Sequence, residues 1–409
     1  MGTQALPAAP GDTERTVTTR LYVARSLRDF GDGFVAVLLP VYLSALGLGA
    51  LETGIVATVA LLGSAVMTFG IGWLGGRSDH RTLLIAASLL MAATGLAFAG
   101  SNAFPVLAMV AFAGTANPSS GSVSIFVPLE HAVLAHAVAD QRRTASFATY
   151  SLVGALAGAA GGFAAASPDL LVRLGLSTLA SLKAMFVLYA ALGLCAGAIY
   201  RGLAPVPEGD HRRGAPLGPS RGIVVRLAAL FSIDSFAGGF AVQSLLALWL
   251  FERFDLSLAQ AGTFFLVSGV LSAFSYPVAT WLAARIGLVN TMVYTHIPAN
   301  LFLIGAALAP DLRLALALLL LRSALSQMDV PTRSSYVMAV VTPAERAAAA
   351  SFTSVPRSLA AAASPALAGM LYAAGHAAWP FIACGALKIV YDLLLLWTFR
   401  HVRPPEEQG

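Results

Sequence analysis

The chain repeats itself over about 206 residues. Phe30-Gly31-Asp32-Gly33-Phe34 returns as Phe236-Ala237-Gly238-Gly239-Phe240, and Trp73-Leu74-Gly75-Gly76-Arg77 returns as Trp281-Leu282-Ala283-Ala284-Arg285. The run from Asp140-Gln141-Arg142 to Ser146-Phe147 is echoed from Glu345-Arg346 to Ser351-Phe352. Each copy is dominated by apolar stretches, and a bilayer core about 30 Å thick takes about 20 apolar residues per helix. The pattern predicts twelve spans. Six lie near 21–46, 51–73, 82–100, 104–138, 145–166 and 178–200, and six near 222–250, 256–279, 289–309, 312–341, 346–374 and 377–399. Parallel repeats of this kind place a binding site between the halves, near the membrane midplane.

Composition agrees. Hydrophobic residues make up 57% and charged residues 11%, against about 25% charged in soluble domains, which excludes one large soluble core. The charge of +5 is not laid out as a nucleic-acid footprint, because most arginines sit between apolar runs. Cys195 and Cys384 lie far apart inside apolar segments and make neither a disulfide framework nor a metal-ligand spacing.

The expected organisation is a polar tail over 1–20, a six-helix bundle over 21–200, a linker over 201–221, a second bundle over 222–399 and a tail over 400–409. The linker, RGLAPVPEGDHRRGAPLGPSR, is rich in Pro, Gly and Arg. Arg77, Arg81, Arg142, Arg143, Arg201, Arg212, Arg213, Arg221, Arg285, Arg346, Arg400 and Arg403 all fall on one side of this topology. The positive-inside rule then puts both termini and the linker in the cytoplasm. Spans 4 and 10 are overlong and carry Pro128 and Pro331, each expected to free backbone carbonyls beside a cavity or packed protein.

Two six-helix halves, a basic central linker and a short Arg-bearing loop after span 2 together resemble the major facilitator superfamily, over roughly residues 21 to 399. The family's loop reads Gly-x-Leu-x-Asp-Arg-x-Gly-Arg-Arg. Here Gly72, Leu74, Arg77 and Arg81 match, while Gly76 stands at the Asp position and Asp79 at the second Gly. Such loops help hold one access state closed, so the resemblance makes Gly72, Arg77, Asp79, Arg81 and Arg285 gating candidates; for Arg81 a positive-inside anchor is the alternative. Gly33 followed by Pro40-Val41 is similar to twelve-helix drug–proton antiporters. So are Gly154, Gly158, Gly161 and Gly162 in span 5 and Ser364-Pro365 with Gly369 in span 11, although small residues at this spacing also simply let helices approach. The resemblance implies an all-α membrane fold of two pseudo-symmetric bundles, with spans 1, 4, 7 and 10 lining the central cavity.

Charge is concentrated in those four spans. A charge near the bilayer centre costs about 2.5–3.5 kcal/mol on insertion scales and needs a partner or a watery cavity. Arg25–Asp29, Arg28–Asp32, Asp329–Arg333 and, in span 12, Lys388–Asp392 are i,i+4 pairs able to neutralise themselves along one helix. Asp32 lies deeper, between Gly31 and Gly33, and Asp234 has no basic residue four positions either way. These two are the expected proton carriers. Glu130 and His131 are read either as a proton relay or as wet interfacial groups. Arg322 stands mid-span among leucines and needs either an internal carboxylate, Asp32 or Asp234, or an anionic substrate group. Asn117, Gln243, Gln327 and Asp329 complete the expected substrate-binding set. His296 and Lys183 have no evident task.

No catalytic motif appears, so an enzyme is not expected, and a proton gradient takes the place of a cofactor. The expected function is secondary active transport of a small organic solute by alternating access, as proton-coupled efflux. The alternative is proton symport of an organic anion clamped by Arg322; metal-ion export and a transporter-like sensor are further alternatives. The expected partners are a small-molecule substrate and the lipid bilayer, with no nucleic acid. The chain is expected to act as a monomer in the cell's inner membrane.

Overall fold

The structure, a computed structural model, describes residues 12–74, 79–119, 124–204, 217–342, 345–400 and 402. The described residues form sixteen helices. In the first half these are α1 (Asp12–Ala45), α2 (Ala50–Leu74), α3 (His80–Gly100), α4 (Phe104–Ala113), α5 (Phe126–Ala137), α6 (Asp140–Ala164), α7 (Ser167–Arg173) and α8 (Thr178–Arg201). In the second they are α9 (Arg221–Gly239), α10 (Gln243–Phe254), α11 (Leu258–Ile286), α12 (Leu288–Leu308), α13 (Leu312–Leu325), α14 (Asp329–Ala339), α15 (Arg346–Ala373) and α16 (Trp379–Phe399).

These make twelve crossings. Nine are single helices, and the fourth, seventh and tenth are each in two pieces: α4 with α5, α9 with α10, and α13 with α14. The short α7 sits between the fifth and sixth crossings. Among the described residues nine helical stretches are long and apolar enough to cross a membrane by length and composition alone. The charges of α1 keep it below that threshold. It also begins at Asp12, so the expected tail is partly helical.

The two prolines act differently from expectation. Neither kinks a continuous helix; Pro128 and Pro331 each stand in the first turn of a new helical piece, α5 and α14. A proline fits there because the first N–H groups of a helix have no intrahelical acceptor. The breaks fall just before them, and the third follows Gly238-Gly239 at the end of α9.

Within the first half α1 packs on α6 and α8, and α3 on α8. Within the second, α9 packs on α15 and α16, and α12 on α16 and α13. The halves meet along α2 with α15, α6 with α11, and α1 with α10. Lipid tails are as apolar as Leu, so close packing of small residues, rather than hydrophobic exclusion, holds such helices together. Gly54 of α2 shows this: a Cβ there would lie 2.5 Å from the Pro365 carbonyl oxygen and 3.0 Å from the Gly369 Cα of α15. Nearby, the Ala366 N–H donates to Thr58 Oγ1 at 2.9 Å. The Ser244 N–H of α10 donates to the Pro118 carbonyl in the α4–α5 break at 3.1 Å. These contacts close the halves at the end remote from the chain termini.

At the other end Glu345 gathers the exit of the linker. Its carboxylate accepts from the Gly218 N–H, from Ser220 Oγ at 2.6 Å and from Thr342 Oγ1 at 2.7 Å. Those donors hold it down to about 2, well below the ordinary range for a glutamate.

The Gly54 contact is testable. Gly54→Leu forces α2 away from the α15 backbone, so a cysteine at Ala366 should react with a bulky maleimide several-fold faster in the purified variant than in the Gly54 background. Equal rates would show that this contact does not close the end.

Candidate functional site

The first half builds its buried charge cluster around α1. Arg28 does not pair with Asp32 as its spacing suggests. Its guanidinium turns to Glu130 of α5, its Nε donates to Tyr200 Oη at 3.0 Å, and it lies 4.0 Å from the centre of the Phe126 ring. Glu130 also accepts from Tyr150 Oη at 2.5 Å and Tyr200 Oη at 2.6 Å. It is fully buried, so the reading of a wet interfacial group is corrected. The relay to His131 is corrected too: Glu130 spends its oxygens on Arg28 and two tyrosines, while the His131 ring packs edge-on against Phe147 and Tyr150. The Arg25–Asp29 pair forms as expected, at 2.6 Å.

Asp32 is left with a different neighbour. Tyr189 of α8 donates to Asp32 Oδ1 at 3.1 Å, and the same hydroxyl lies 3.1 Å from both the carbonyl and the Oγ1 of Thr115. The flanking glycines make room for protein rather than ligand. A Cβ on Gly31 would press on the Tyr189 ring at 2.9 Å, and Gly33 backs onto Gly158 and Gly162 of α6. Gly161 in turn backs onto the Phe30 backbone. Three of the antiporter-like glycines of the fifth crossing therefore serve a close helix contact.

In the second half Asp234 is not solitary, contrary to expectation. It accepts from Arg333 Nη1 at 3.0 Å and from Lys388 Nζ at 2.5 Å, and Arg333 also pairs with Asp329 at 3.0 Å. Lys388 and Asp392 do not pair with each other. Asp392 instead takes His296 Nδ1 at 2.9 Å, which gives both His296 and the outer helix α16 a task that sequence spacing hid.

Arg322 ends α13 just before a break. Both carboxylates suggested for it are committed elsewhere, Asp32 to Tyr189 and Asp234 to Lys388 and Arg333, and Asp329 is held by Arg333. Among the described residues no carboxylate pairs with it, and its buried Nε has no hydrogen-bond acceptor. An internal partner for Arg322 is therefore corrected.

Asn117, Gln243 and Gln327 stand at the three helix breaks, where freed backbone groups are tolerated only beside a cavity or packed protein. Asn117 Oδ1 accepts from the Ser119 N–H at 2.8 Å. A small gap beside it is lined by Ser64, Gly114 and Thr115 and so adjoins the Tyr189–Asp32 contact. Of the gating candidates, Arg77 lies outside the described residues and Gly72 falls in the last turn of α2. Asp79 caps α3 by accepting from the Arg81 N–H at 3.3 Å. Arg285 lies over the Trp281 ring at 4.1 Å.

The sequence reading missed four groups. Tyr150, Tyr189 and Tyr200 reach the acids from other helices, and nothing local marks them. Arg357 of α15 is the fourth: its Nε donates to Ser235 Oγ of α9 at 2.8 Å, and no carboxylate among the described residues pairs with it. An arginine eleven residues into a span, about 16 Å from the helix start at 1.5 Å per residue, was the available signal.

A family model described as Major Facilitator Superfamily matches residues 21–327. The chain belongs to the major facilitator superfamily. It is accordingly a multi-pass membrane protein and a secondary transporter of small molecules, not an enzyme. It is 24% identical over 416 residues to the uncharacterized membrane protein YJR124C of Saccharomyces cerevisiae, covering 93% of each chain. The fold is similar to the xylose transporter XylE of E. coli in its inward-open conformation, with a TM-score of 0.76 at 13% identity over 97% of this chain and 98% of that one. It is also similar to a bacterial homolog of the human lysosomal transporter Spinster in an inward-facing, occupied conformation. That match has a TM-score of 0.71 at 17% identity over 96% and 98% of the two chains.

In this superfamily member the Arg28–Glu130 pair should bear much of the first half's stability. Arg28→Ala strands a buried carboxylate, a change that costs about 3–5 kcal/mol. A marked fall in the thermal midpoint of the detergent-purified protein is expected, with partial recovery when Glu130→Gln is added. An unchanged midpoint in the single variant would remove the pair from that role.

Proposed function

We propose that this transporter couples the movement of a small organic solute to protons, with Asp32 carrying the proton. One observation bears the reading. In the first half two cations, Arg25 and Arg28, face three carboxylates, Asp29, Asp32 and Glu130. The cations are taken by Asp29 and Glu130, and Asp32 keeps only a neutral tyrosine hydroxyl. A buried carboxylate without a cation favours its protonated form, so this cluster has room for one proton. Asp234, which meets two cations, is better suited to a fixed structural charge.

Protonation removes a charge whose presence at the bilayer centre costs about 2.5–3.5 kcal/mol. The two bundles, 21–200 and 222–399, then rock about the α2–α15 and α6–α11 contacts. The arginine distribution supports cytoplasmic termini in the inner membrane, which makes the closed end the outer one and this form inward-facing. Gly33 with Pro40-Val41 supports efflux by antiport. Arg322, without a carboxylate partner among the described residues, favours the second reading, symport of an organic anion. One chain contains both bundles and suffices as a monomer.

Asp32→Asn in sealed vesicles tests the proton role. The amide is nearly isosteric, so the variant should lose gradient-driven accumulation yet keep downhill exchange of substrate. If it still concentrates substrate in a proton-dependent way, Asp32 is not the carrier.

A further inference from the structure

We infer that Arg357, steadied by Ser235, is a substrate-recognition residue and that the solute it takes is an organic anion, a carboxylate in the simplest case. The inference rests on the proposed transport of a small organic solute and deepens its second reading, symport of an organic anion.

Two guanidiniums of the second half are at least half-buried yet pair with no carboxylate among the described residues, Arg322 on α13 and Arg357 on α15. The acids buried within its spans are already committed: Asp234 to Arg333 and Lys388, Asp329 to Arg333, and Asp392 to His296. Both arginines are half-buried, and both turn from the outer face of their helices. Arg322 is on the side of α13 that buries Ala315, Leu319 and Ser323, opposite the exposed Leu314 and Leu321. Arg357 follows Thr353 and precedes Ser364 on the face of α15 that packs on α9, away from the exposed Phe352 and Leu359. Both side chains therefore start from the packed faces of their helices.

Position strengthens the case for Arg357. Only its Nε is used, in the bond to Ser235 Oγ, and that bond aims the terminal fork while leaving it available. A guanidinium fork matches a carboxylate through two parallel hydrogen bonds, and the match is strongest where water is excluded. The helix carrying it, α15, is also the one that meets α2 across the halves. An anion held there touches a helix that must move relative to α2 during the transport cycle. Tyr276 of α11 lies within electrostatic reach of both Asp329 and Arg25. The proton site and the anion site thereby fall in opposite halves.

The test uses the full chain in detergent and a panel of aliphatic and aromatic carboxylates, each beside its neutral amide, read by thermal shift. At least one carboxylate should stabilise the wild-type protein where its amide does not. Arg357→Gln should weaken that binding at least tenfold. Arg357→Lys, which keeps the charge and loses the fork, should weaken it less, and it carries the test if the glutamine variant does not fold. Ser235→Ala should weaken binding several-fold by releasing the fork; the assay imposes no proton gradient, so its outcome is separate from the proton role of Asp32. The proposal is overturned if no carboxylate outperforms its amide, or if Arg357→Gln binds it unchanged. It is also overturned if stabilisation comes only from phosphatidylglycerol in nanodiscs and not from soluble carboxylates in phosphatidylcholine ones, because the anion would then be a lipid headgroup.

Discussion

The buried pair between Arg28 and Glu130 decides how the first half distributes its charge. Two tyrosines and an aromatic ring surround it, so Glu130 accepts three hydrogen bonds there and Arg28 spends its Nε and Nη2 on other helices instead of turning back along α1. Had Arg28 taken Asp32, its i,i+4 neighbour, the cluster would have left Glu130 as its odd carboxylate, deep in α5. Because it crosses to α5 instead, the unbalanced acid is Asp32. Desolvation makes such a choice stringent: a buried ion needs both its counter-charge and its remaining hydrogen bonds supplied by fixed groups.

The duplication shows how this arrangement was varied. Aligning Phe30 with Phe236 sets Arg28 opposite Asp234, and aligning Pro128 with Pro331 sets Glu130 opposite Arg333. Each half therefore ties its first crossing to its fourth by an ion pair at matching positions, with the signs exchanged. The sixth crossing of each half adds a donor, Tyr200 to Glu130 and Lys388 to Asp234. A neutral hydroxyl in one half and an ammonium in the other leave the two halves with opposite appetites: the first has a carboxylate to spare, the second guanidiniums.

Much of the architecture is legible in the amino-acid sequence. Twelve spans follow from segment length, and the two six-span copies from the repeated Phe30 and Trp73 motifs. Helical spacing alone correctly paired Arg25 with Asp29 and Asp329 with Arg333. It failed for Arg28–Asp32 and Lys388–Asp392, because an i,i+4 neighbour is always within reach on a helix but loses to a tertiary pair that is more fully hydrogen-bonded. Asp234 looked isolated since its cations come from α14 and α16, far along the chain. Tyrosines were invisible as partners because a phenol in an apolar run reads as packing. Arg357 was passed over for a related reason: its anchor, Ser235, is one hydroxyl among many on facing helices.

In the proposed cycle the helix breaks link Asp32 to the contact between the halves. Tyr189 has one hydroxyl proton and two acceptors, Asp32 Oδ1 and the Thr115 carbonyl. A charged Asp32 is the stronger acceptor, since a hydrogen bond to an ionised group is about twice as strong as a neutral one. Once Asp32 is neutral, the phenol is free to favour Thr115, which lies in the α4–α5 break. Three residues on, the Pro118 carbonyl accepts from the Ser244 N–H in the α9–α10 break of the other half. A continuous helix would have spent both carbonyls on its own ladder. Because the fourth crossing is interrupted, the same short segment meets the Tyr189–Asp32 contact at one end and the opposite bundle at the other. The proposed coupling then begins with a shift in one hydrogen bond, that of Tyr189, which already has two ways to be satisfied.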